Sequence, residues 1–492
     1  MSMQGNKPGV LLAIAPVLVT MALLVWLVVI KGGAPHIAII LGIAITSAAG
    51  RVAGYSWNDM LDGMSKSASV TLPVIGILMA IGMLVGSWIL SGTVPILMIY
   101  GFDFLSPGFF LPAVAIVASV ISLATGTSWG TLGTIGIAFM GIGEGLGIPA
   151  YMTAGAVVSG AFFGDKVSPL SDTTNFCANV VGADLYRHIK ELMPSTIPAM
   201  VIGLVLYYFL GQQYAGNAFD NSNAEAVRTA LNGSFTLGVY LLLPPVIVIA
   251  LALMKYPPIP SLFAGIVAGV ILAVFVQGAP IEAVLGTVMY GYRADTGIEF
   301  VDELLSKGGL NSMLWISGLM ILTVAFGGLL ERIRAIEVMV ESIVTFATSV
   351  GAAVLSNTII MLVLTFTSDL YIAYAVSARV FCPVTRGWGY STTSVSRVLE
   401  NSGTMMAPLV PWGAAGVFTS GNLGVPTIMY APVSFACWLA PLFDILWGFT
   451  GLFLPKATDE ERARWHKEDR KIAENGKLIP ISQWMEKKGE TV

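Results

Sequence analysis

Hydrophobic positions fill this chain in long blocks, and polar positions are confined to short interruptions between them. Val10 to Ile30 and Leu72 to Leu90 are apolar runs, each near the ~20 residues a helix needs to cross a hydrocarbon core. The pattern predicts spans near 10–30, 36–53, 70–90, 109–125, 150–163, 194–211, 236–254, 259–276, 310–330, 352–368 and 430–454. Shorter or broken pieces are predicted around 131–147, 175–182, 370–382 and 391–420. The first run is too long for a signal peptide, and a second span from Ile37 to Ala49 follows it closely.

The interruptions are more informative than the runs. Gly164-Asp165-Lys166 is followed by Ser168-Pro169-Leu170-Ser171-Asp172-Thr173-Thr174, inside an otherwise apolar stretch. A carboxylate in bilayer is costly and is retained for function. Non-helical polar backbone at that depth persists only where it is buried in protein or lines a wet cavity. A comparable break stands in the second half at Gly403-Thr404-Met405-Met406-Ala407-Pro408-Leu409. Paired interrupted helices in corresponding halves point to the ion site of a transporter.

Composition agrees with this picture. Of 492 residues 55% are hydrophobic, 11% are charged, and the mean hydropathy is +0.80; soluble proteins carry about 25% charged residues. The formal net charge of −4 gives no reason to expect nucleic acid. Cys177, Cys382 and Cys437 lie in apolar surroundings without disulfide or zinc spacing and read as packing residues. The 54 glycines form no dinucleotide or phosphate loop, so no cofactor is expected. No nucleophile motif or repeated selectivity filter favours an enzyme or a channel.

The hydrophilic stretch Gly211 to Asn232 divides the chain into segments 1–215 and 236–455, joined by a linker at 216–235 and followed by a charged tail at 456–492. The two large segments read as a duplication. Ser65-Lys66 matches Ser306-Lys307, Leu78-Met79 matches Leu319-Met320 and Gly86 matches Gly327, all at one spacing. Thr127-Ser128 matches Thr367-Ser368 one residue short of that spacing, and Pro169-Leu170 matches Pro408-Leu409 two short. Lys7, Arg51, Lys66, Arg187, Lys190, Lys255, Arg332 and Arg334 can all face the cytoplasm if the spans alternate. Both termini are then cytoplasmic and the halves inverted, so their broken helices enter from opposite sides and meet near the midplane. The fold class expected is an all-α polytopic membrane protein of two inverted repeats with broken helices and re-entrant hairpins, placed in the cell membrane.

A small hard cation needs oxygen ligands, which hydroxyls, carboxylates, carboxamides and unwound carbonyls supply. Asp165, Asp172, Thr173, Thr174 and Asn175 offer these within about ten residues. A carboxylate there holds a cation or a proton but not both well, which is a simple basis for exchange. Lys166 is expected to neutralise Asp165, leaving Asp172 to exchange, with Asp172 and Thr173 touching sodium; a polar packing knot is the alternative. Thr127 and Ser128 form a second ligand segment or a glycine kink, and Asp369 a further embedded acid. Glu400 and Asn401 precede the second break, where Asn401 could equally cap a helix. Asp444 is either a coupling acid or the partner of a cation. His36 and His188 read as interfacial.

These residues resemble a known family. Gly126-Thr127-Ser128-Trp129-Gly130-Thr131, Gly164 to Asn175, and Gly182-Ala183-Asp184-Leu185 with His188-Ile189 look like the signature of NhaC-type sodium/proton antiporters. Ser396-Arg397, Leu399-Glu400, Ser402-Gly403-Thr404, Pro408-Leu409, Pro411-Trp412 and Leu423-Gly424-Val425 agree in the second half. The resemblance implies a secondary transporter of sodium ions and protons. It also implies an elevator-like arrangement, a mobile domain of hairpins and broken helices beside a dimerising scaffold, hence a homodimer.

The second half departs from that pattern. Gly413, Ala414 and Ala415 stand where the family carries a polar run, Leu370 where a glutamine is usual, and Asn401 where an aspartate is common. An enlarged, less polar pocket is therefore expected around Asn401, Ser402, Thr404, Trp412 and Gly413. Arg379 is available there for a solute carboxylate unless it snorkels to the interface. Coupled transport of an organic solute, a carboxylate or amino acid, is the alternative to plain sodium/proton exchange.

Overall fold

Without water to satisfy backbone N–H and C=O groups, a chain of this composition is driven into helices. The computed structural model describes residues 7–465 apart from 70, 105, 216–220, 255, 299–300, 303–304 and 368–369. Among the described residues the structure is helical, and its one isolated β-bridge joins Tyr390 to Lys456.

Among the described residues, five helices are long and apolar enough to span a membrane: Val10–Val28, Pro35–Val52, Pro107–Thr125, Leu185–Tyr214 and Leu310–Arg332. Three bent pairs raise the number to as many as eight: Ile75–Leu90 with Thr93–Tyr100 at 72°, Arg228–Ser234 with Val239–Leu251 at 96°, and Thr427–Val433 with Phe435–Thr450 at 57°. The sequence pattern suggests eleven spans. The difference is one of helix length: Ile259–Phe275, Ile281–Tyr290 and Val350–Thr365 are shorter apolar helices, and Ala150–Lys166, with 17 residues, is also largely enclosed by protein. The 194–211 run extends to the longer helix Leu185–Ala215, which carries Pro194 and Pro198 in its interior. The polar stretch at mid-chain contains the helix Asn221–Ser234, anchored by the buried Leu231.

The outer surface is apolar, and a set of charged and polar groups is buried within an otherwise hydrophobic core. Leu11 and Phe275 are 79% and 82% exposed, and the outward faces of Pro107–Thr125 and Leu185–Ala215 carry further large apolar side chains. Buried within are Asp165, Lys166, Arg397, Glu400 and Asp444. This is the distribution of a multi-pass membrane protein, whose polar groups must find partners among themselves.

Small residues let the helices that carry these groups approach closely. A Cβ on Gly160 or Gly164 would stand 2.2 Å from the Ala115 or Ser119 carbonyl oxygen, so the Ala150–Lys166 helix lies directly on Pro107–Thr125. The halves of the chain are joined where Trp57–Ser69 meets Leu314–Arg332. Gly63 and Gly328 face each other's helix there, and Arg332 Nη2 lies 2.9 Å from Asp59 Oδ1.

After the Phe435–Thr450 helix the chain returns across the loop that follows Leu370–Gly387. Ser391 N–H donates to the Pro455 carbonyl at 2.8 Å and Ala457 N–H to the Gly389 carbonyl at 3.0 Å. Thr458 and Glu461 then cap each other's backbone N–H at 3.2 and 2.9 Å, a reciprocal N-terminal box. Glu461 also accepts from Ser391 Oγ at 2.7 Å and pairs with Arg187 at 3.1 Å.

Candidate functional site

The first break begins where the Pro107–Thr125 helix ends on Gly126, whose φ of +70° is left-handed. A side chain at Gly126 would also collide with Leu170, so the two unwound segments of this half press together. Thr127 Oγ1 accepts from Gly130 N–H at 3.1 Å and caps the next turn. That cap aims Ser128 at Asp165: Asp165 Oδ2 accepts from Ser128 N–H at 3.0 Å and from Ser128 Oγ at 2.7 Å. Asp165 Oδ1 is buried without a hydrogen-bond partner.

Pro169 prevents the helix from continuing, and the polar residues beyond it tie the turn in place. Thr174 Oγ1 donates to the Lys166 carbonyl at 3.0 Å. Asn175 Nδ2 donates to the carbonyls of Pro169 at 2.9 Å and Ser171 at 2.6 Å, and Thr173 Oγ1 lies 3.0 Å from Ser171 Oγ. Asp172, the first residue of the following helix, is exposed and accepts from the Tyr371 hydroxyl at 2.5 Å.

The second break has a different form. The Thr393–Leu399 helix widens into a π-helical turn over Glu400–Thr404 and then tightens at Ala407–Leu409; such bulges occur frequently at functional sites. Thr404 Oγ1 donates to Glu400 Oε2 and lies 2.5 Å from the Tyr374 hydroxyl. Glu400 Oε1 is buried without a hydrogen-bond partner. The Pro408 carbonyl accepts from the Tyr430 hydroxyl at 2.6 Å.

A chain of polar contacts joins the two breaks. Lys166 Nζ donates to Asn401 Oδ1. Asn401 Nδ2 donates to Asp444 Oδ2 at 2.7 Å. Asp444 Oδ1 lies 2.9 Å from Arg397 Nε and accepts from Ser195 Oγ at 2.5 Å, while Arg397 Nη1 donates to the Phe453 carbonyl at 2.7 Å. None of Lys166, Asn401, Arg397 and Asp444 is exposed. Asp165 and Lys166 lie within electrostatic reach of Glu400, so the Ala150–Lys166 helix and the Glu400–Thr404 turn share one polar core.

The sequence candidates are thus distributed unevenly. Thr127, Ser128 and Asp165 come together, and so do Asn401 and Thr404 around the second break. Lys166 contacts Asn401 rather than its neighbour Asp165. Ser402 is buried with Oγ 3.4 Å from Thr358 Oγ1. Thr323 Oγ1 donates to the Trp412 carbonyl at 2.9 Å. Gly413 stands against Val410, and a Cβ on Gly416 would be 1.9 Å from the Val410 carbonyl oxygen, so small residues here accommodate close backbone. Arg379 is exposed on its helix, and Asp369 lies outside the described residues. Ser195, Tyr371 and Tyr374 carried no sequence signal; single hydroxyls in apolar helices become informative only once their partners are known.

Embedded charges held between broken helices define a membrane transporter. The chain belongs to the Na+/H+ antiporter family, whose profile it matches over residues 9–174 and 160–452. It is 37% identical to the Na(+)/H(+) antiporter NhaC of Alkalihalophilus pseudofirmus, over 89% of this chain and 95% of that one. It is 36% identical to the arginine/ornithine antiporter ArcD of Halobacterium salinarum, over 93% and 96%. Identity is also 36% to the malate-2H(+)/Na(+)-lactate antiporter of Bacillus subtilis, over 85% and 88%. These relatives are named as antiporters, not enzymes.

Proposed function

We propose that this protein exchanges sodium for protons on membrane-embedded carboxylates, with Asp165 as the principal exchanging group and Glu400 facing it. The observation that carries this reading is the state of Asp165. One carboxylate oxygen is fixed by Ser128, while the other is buried and unengaged. An anionic oxygen in such a place is strongly unfavourable until a cation or proton reaches it. Sodium and proton therefore compete for one position. Thr127 and Ser128 orient the acid, and Asp172, exposed and within electrostatic reach of Asp165, lies on the approach to it.

The test is reconstitution of the full chain in proteoliposomes with an imposed sodium gradient and an internal pH dye. Sodium-driven proton movement is expected from the parent and is expected to vanish in Asp165→Asn. Undiminished exchange by a folded Asp165→Asn protein removes that carboxylate from the mechanism.

A second reading, sodium- or proton-coupled exchange of an organic carboxylate or amino acid, is favoured by the ArcD and malate/lactate relatives. Lys166 supports it too, because a lysine has three donor hydrogens and, among the described residues, its ammonium donates to Asn401. In the same vesicles, candidate solutes that accelerate proton movement would favour this reading; indifference to all of them leaves simple exchange. Cytoplasmic termini and inverted halves remain part of the proposal, supported by the Lys and Arg positions; a dimeric, elevator-like arrangement remains part of it as what the family resemblance implies. One-sided labelling of a cysteine placed at Lys7 or Lys456 checks the orientation, and reaction only from the outside would overturn it.

A further inference from the structure

Two helices from opposite halves of the chain meet beside the buried carboxylates, and aromatic rings fill the seam between them. On Asp172–Val180, Asp172 and Phe176 are one turn apart and share a face. On Leu370–Gly387, Tyr371 and Tyr374 do the same. The three rings pack on one another. The centroids of Phe176 and Tyr371 are 5.0 Å apart, edge to face, those of Phe176 and Tyr374 6.1 Å, and those of Tyr371 and Tyr374 6.2 Å. These are the spacings of favourable aromatic pairs.

Exposure falls steeply across this triangle of rings. At one end Asp172 is exposed, and its Oδ2 accepts from the Tyr371 hydroxyl at 2.5 Å. A carboxylate is not left facing hydrocarbon, so that end opens to water. At the other end the Tyr374 hydroxyl lies 2.5 Å from Thr404 Oγ1, which donates to Glu400 Oε2. Tyr374, Cys177 and Glu400 are 0% exposed and Thr404 is 2% exposed. The Tyr374 ring is tightly seated, because a Cβ on Gly403 would stand 2.5 Å from its Cε1. Along this seam one aromatic layer, with a hydroxyl at either face, separates water from a buried carboxyl group.

The helix that carries Phe176 is nine residues long and has non-helical backbone on both sides. The turn around Pro169 precedes it, and Gly182, with a left-handed φ of +67°, follows it. We infer that Phe176, Tyr371 and Tyr374 form a gate between water and the buried carboxyl groups, shut in this conformation, with the hydrogen bond from Tyr371 to Asp172 as its latch. Opening tilts Asp172–Val180 away from Leu370–Gly387, parts Phe176 from both tyrosines and breaks the latch. The inference rests on the sodium/proton reading above for what passes the gate, and adds the residues that control admission to the site.

Cys177, next to Phe176 and in contact with Glu400, is a native reporter behind the gate. The experiment places the full chain in lipid nanodiscs, where both faces are accessible, and adds methanethiosulfonate ethylammonium, a small water-soluble thiol reagent. Modification of each cysteine is followed by peptide mass spectrometry. In the parent, Cys177 is expected to react far more slowly than a cysteine replacing Asn179, which is exposed on the same helix. Where closing outpaces labelling, the rate follows the open population. Tyr371→Phe keeps the ring but loses the latch, and should label Cys177 at least about ten-fold faster, the change expected for one hydrogen bond to a charged group. Phe176→Ala removes the shared ring, and Gly403→Ala displaces Tyr374 from the opposite side; both should raise the rate as well. Phe176→Tyr keeps a ring and should stay near the parent. Cys382, buried on the helix that carries the tyrosines, should remain slow throughout. Parent-like labelling of Cys177 in folded Tyr371→Phe and Phe176→Ala overturns the gate, and so does a rise that Cys382 shares equally. If no variant folds, labelling of Cys177 in the parent as fast as at position 179 overturns it too. Labelling needs no ion gradient, so a parent that moves no protons in response to sodium would remove the sodium/proton reading and not the gate.

Discussion

Arg397 and Asp444 meet at 2.9 Å with neither side chain exposed, and they join helices 47 positions apart in the chain. Ser195 and Asn401 complete the shell of the carboxylate, and the Phe453 carbonyl binds the far side of the guanidinium. Asp444→Asn leaves a buried guanidinium without its counter-charge, which costs about 3–5 kcal/mol. The variant is expected to melt well below the parent in detergent, followed by loss of tryptophan fluorescence. An unchanged melting profile would show that the pair does not support the fold.

Asp165 and Asp172 differ in environment, and the difference predicts unequal effects on transport. Asp165→Asn removes the buried exchanging oxygen and is expected to abolish sodium-driven proton flux. Asp172→Asn alters an exposed residue that can keep its contact with Tyr371 through the amide oxygen, so most of the flux should survive. The reverse order of severity would make Asp172 the exchanging group.

Glu461 fastens the C-terminal segment to the rest of the molecule. Partial burial opposes its ionisation, but hydrogen bonds from Ser391 and the Thr458 N–H, with the charge of Arg187, win and hold its pKa below the usual value of 4.5. A lowered carboxylate stabilises above its unfolded value and loses that contribution as pH falls through the folded one. The segment around 456–465 should therefore be protected at neutral pH and loosen only below about pH 4.5, as read by hydrogen–deuterium exchange. Glu461→Gln is expected to loosen it at neutral pH as well. Equal protection of parent and variant at pH 7 would contradict this fastening role.

Gly164 leaves no room for a side chain beside the Ser119 carbonyl. Gly164→Ala must push the Ala150–Lys166 helix away from Pro107–Thr125 and shift Asp165 relative to Ser128. Overpacking of this kind costs about 1–3 kcal/mol, and weaker sodium activation should accompany the lower melting temperature. Parent-like transport would mean that this helix contact does not position Asp165.

Much of the site was legible in the sequence because prolines, glycines and carboxylates stand out among apolar residues. Asp165, Ser128, Glu400 and Asn401 were all visible as interruptions of helical runs. Their pairing was not. Consecutive residues on a helix point about 100° apart, so Lys166 turns from its neighbour Asp165 toward Asn401 on another element. The partnership of Arg397 with Asp444 depends on how three helices cross, which spacing along one chain does not encode. The helix Asn221–Ser234 was not legible for a simpler reason: its composition is polar, although Leu231 in its last turn is buried.

The contrast between an apolar outer face and a buried cluster of charges bears on how such a protein drifts over evolutionary time. Leu11 or Phe275 on the outer face meets a fluid medium that accepts any apolar shape. The interior hydroxyls and charges hold one another in fixed geometry, so a change in one demands a compensating change in another. Divergence should accumulate on the periphery and occur at the centre as correlated pairs, with Lys166 and Asn401, or Arg397 and Asp444, changing together.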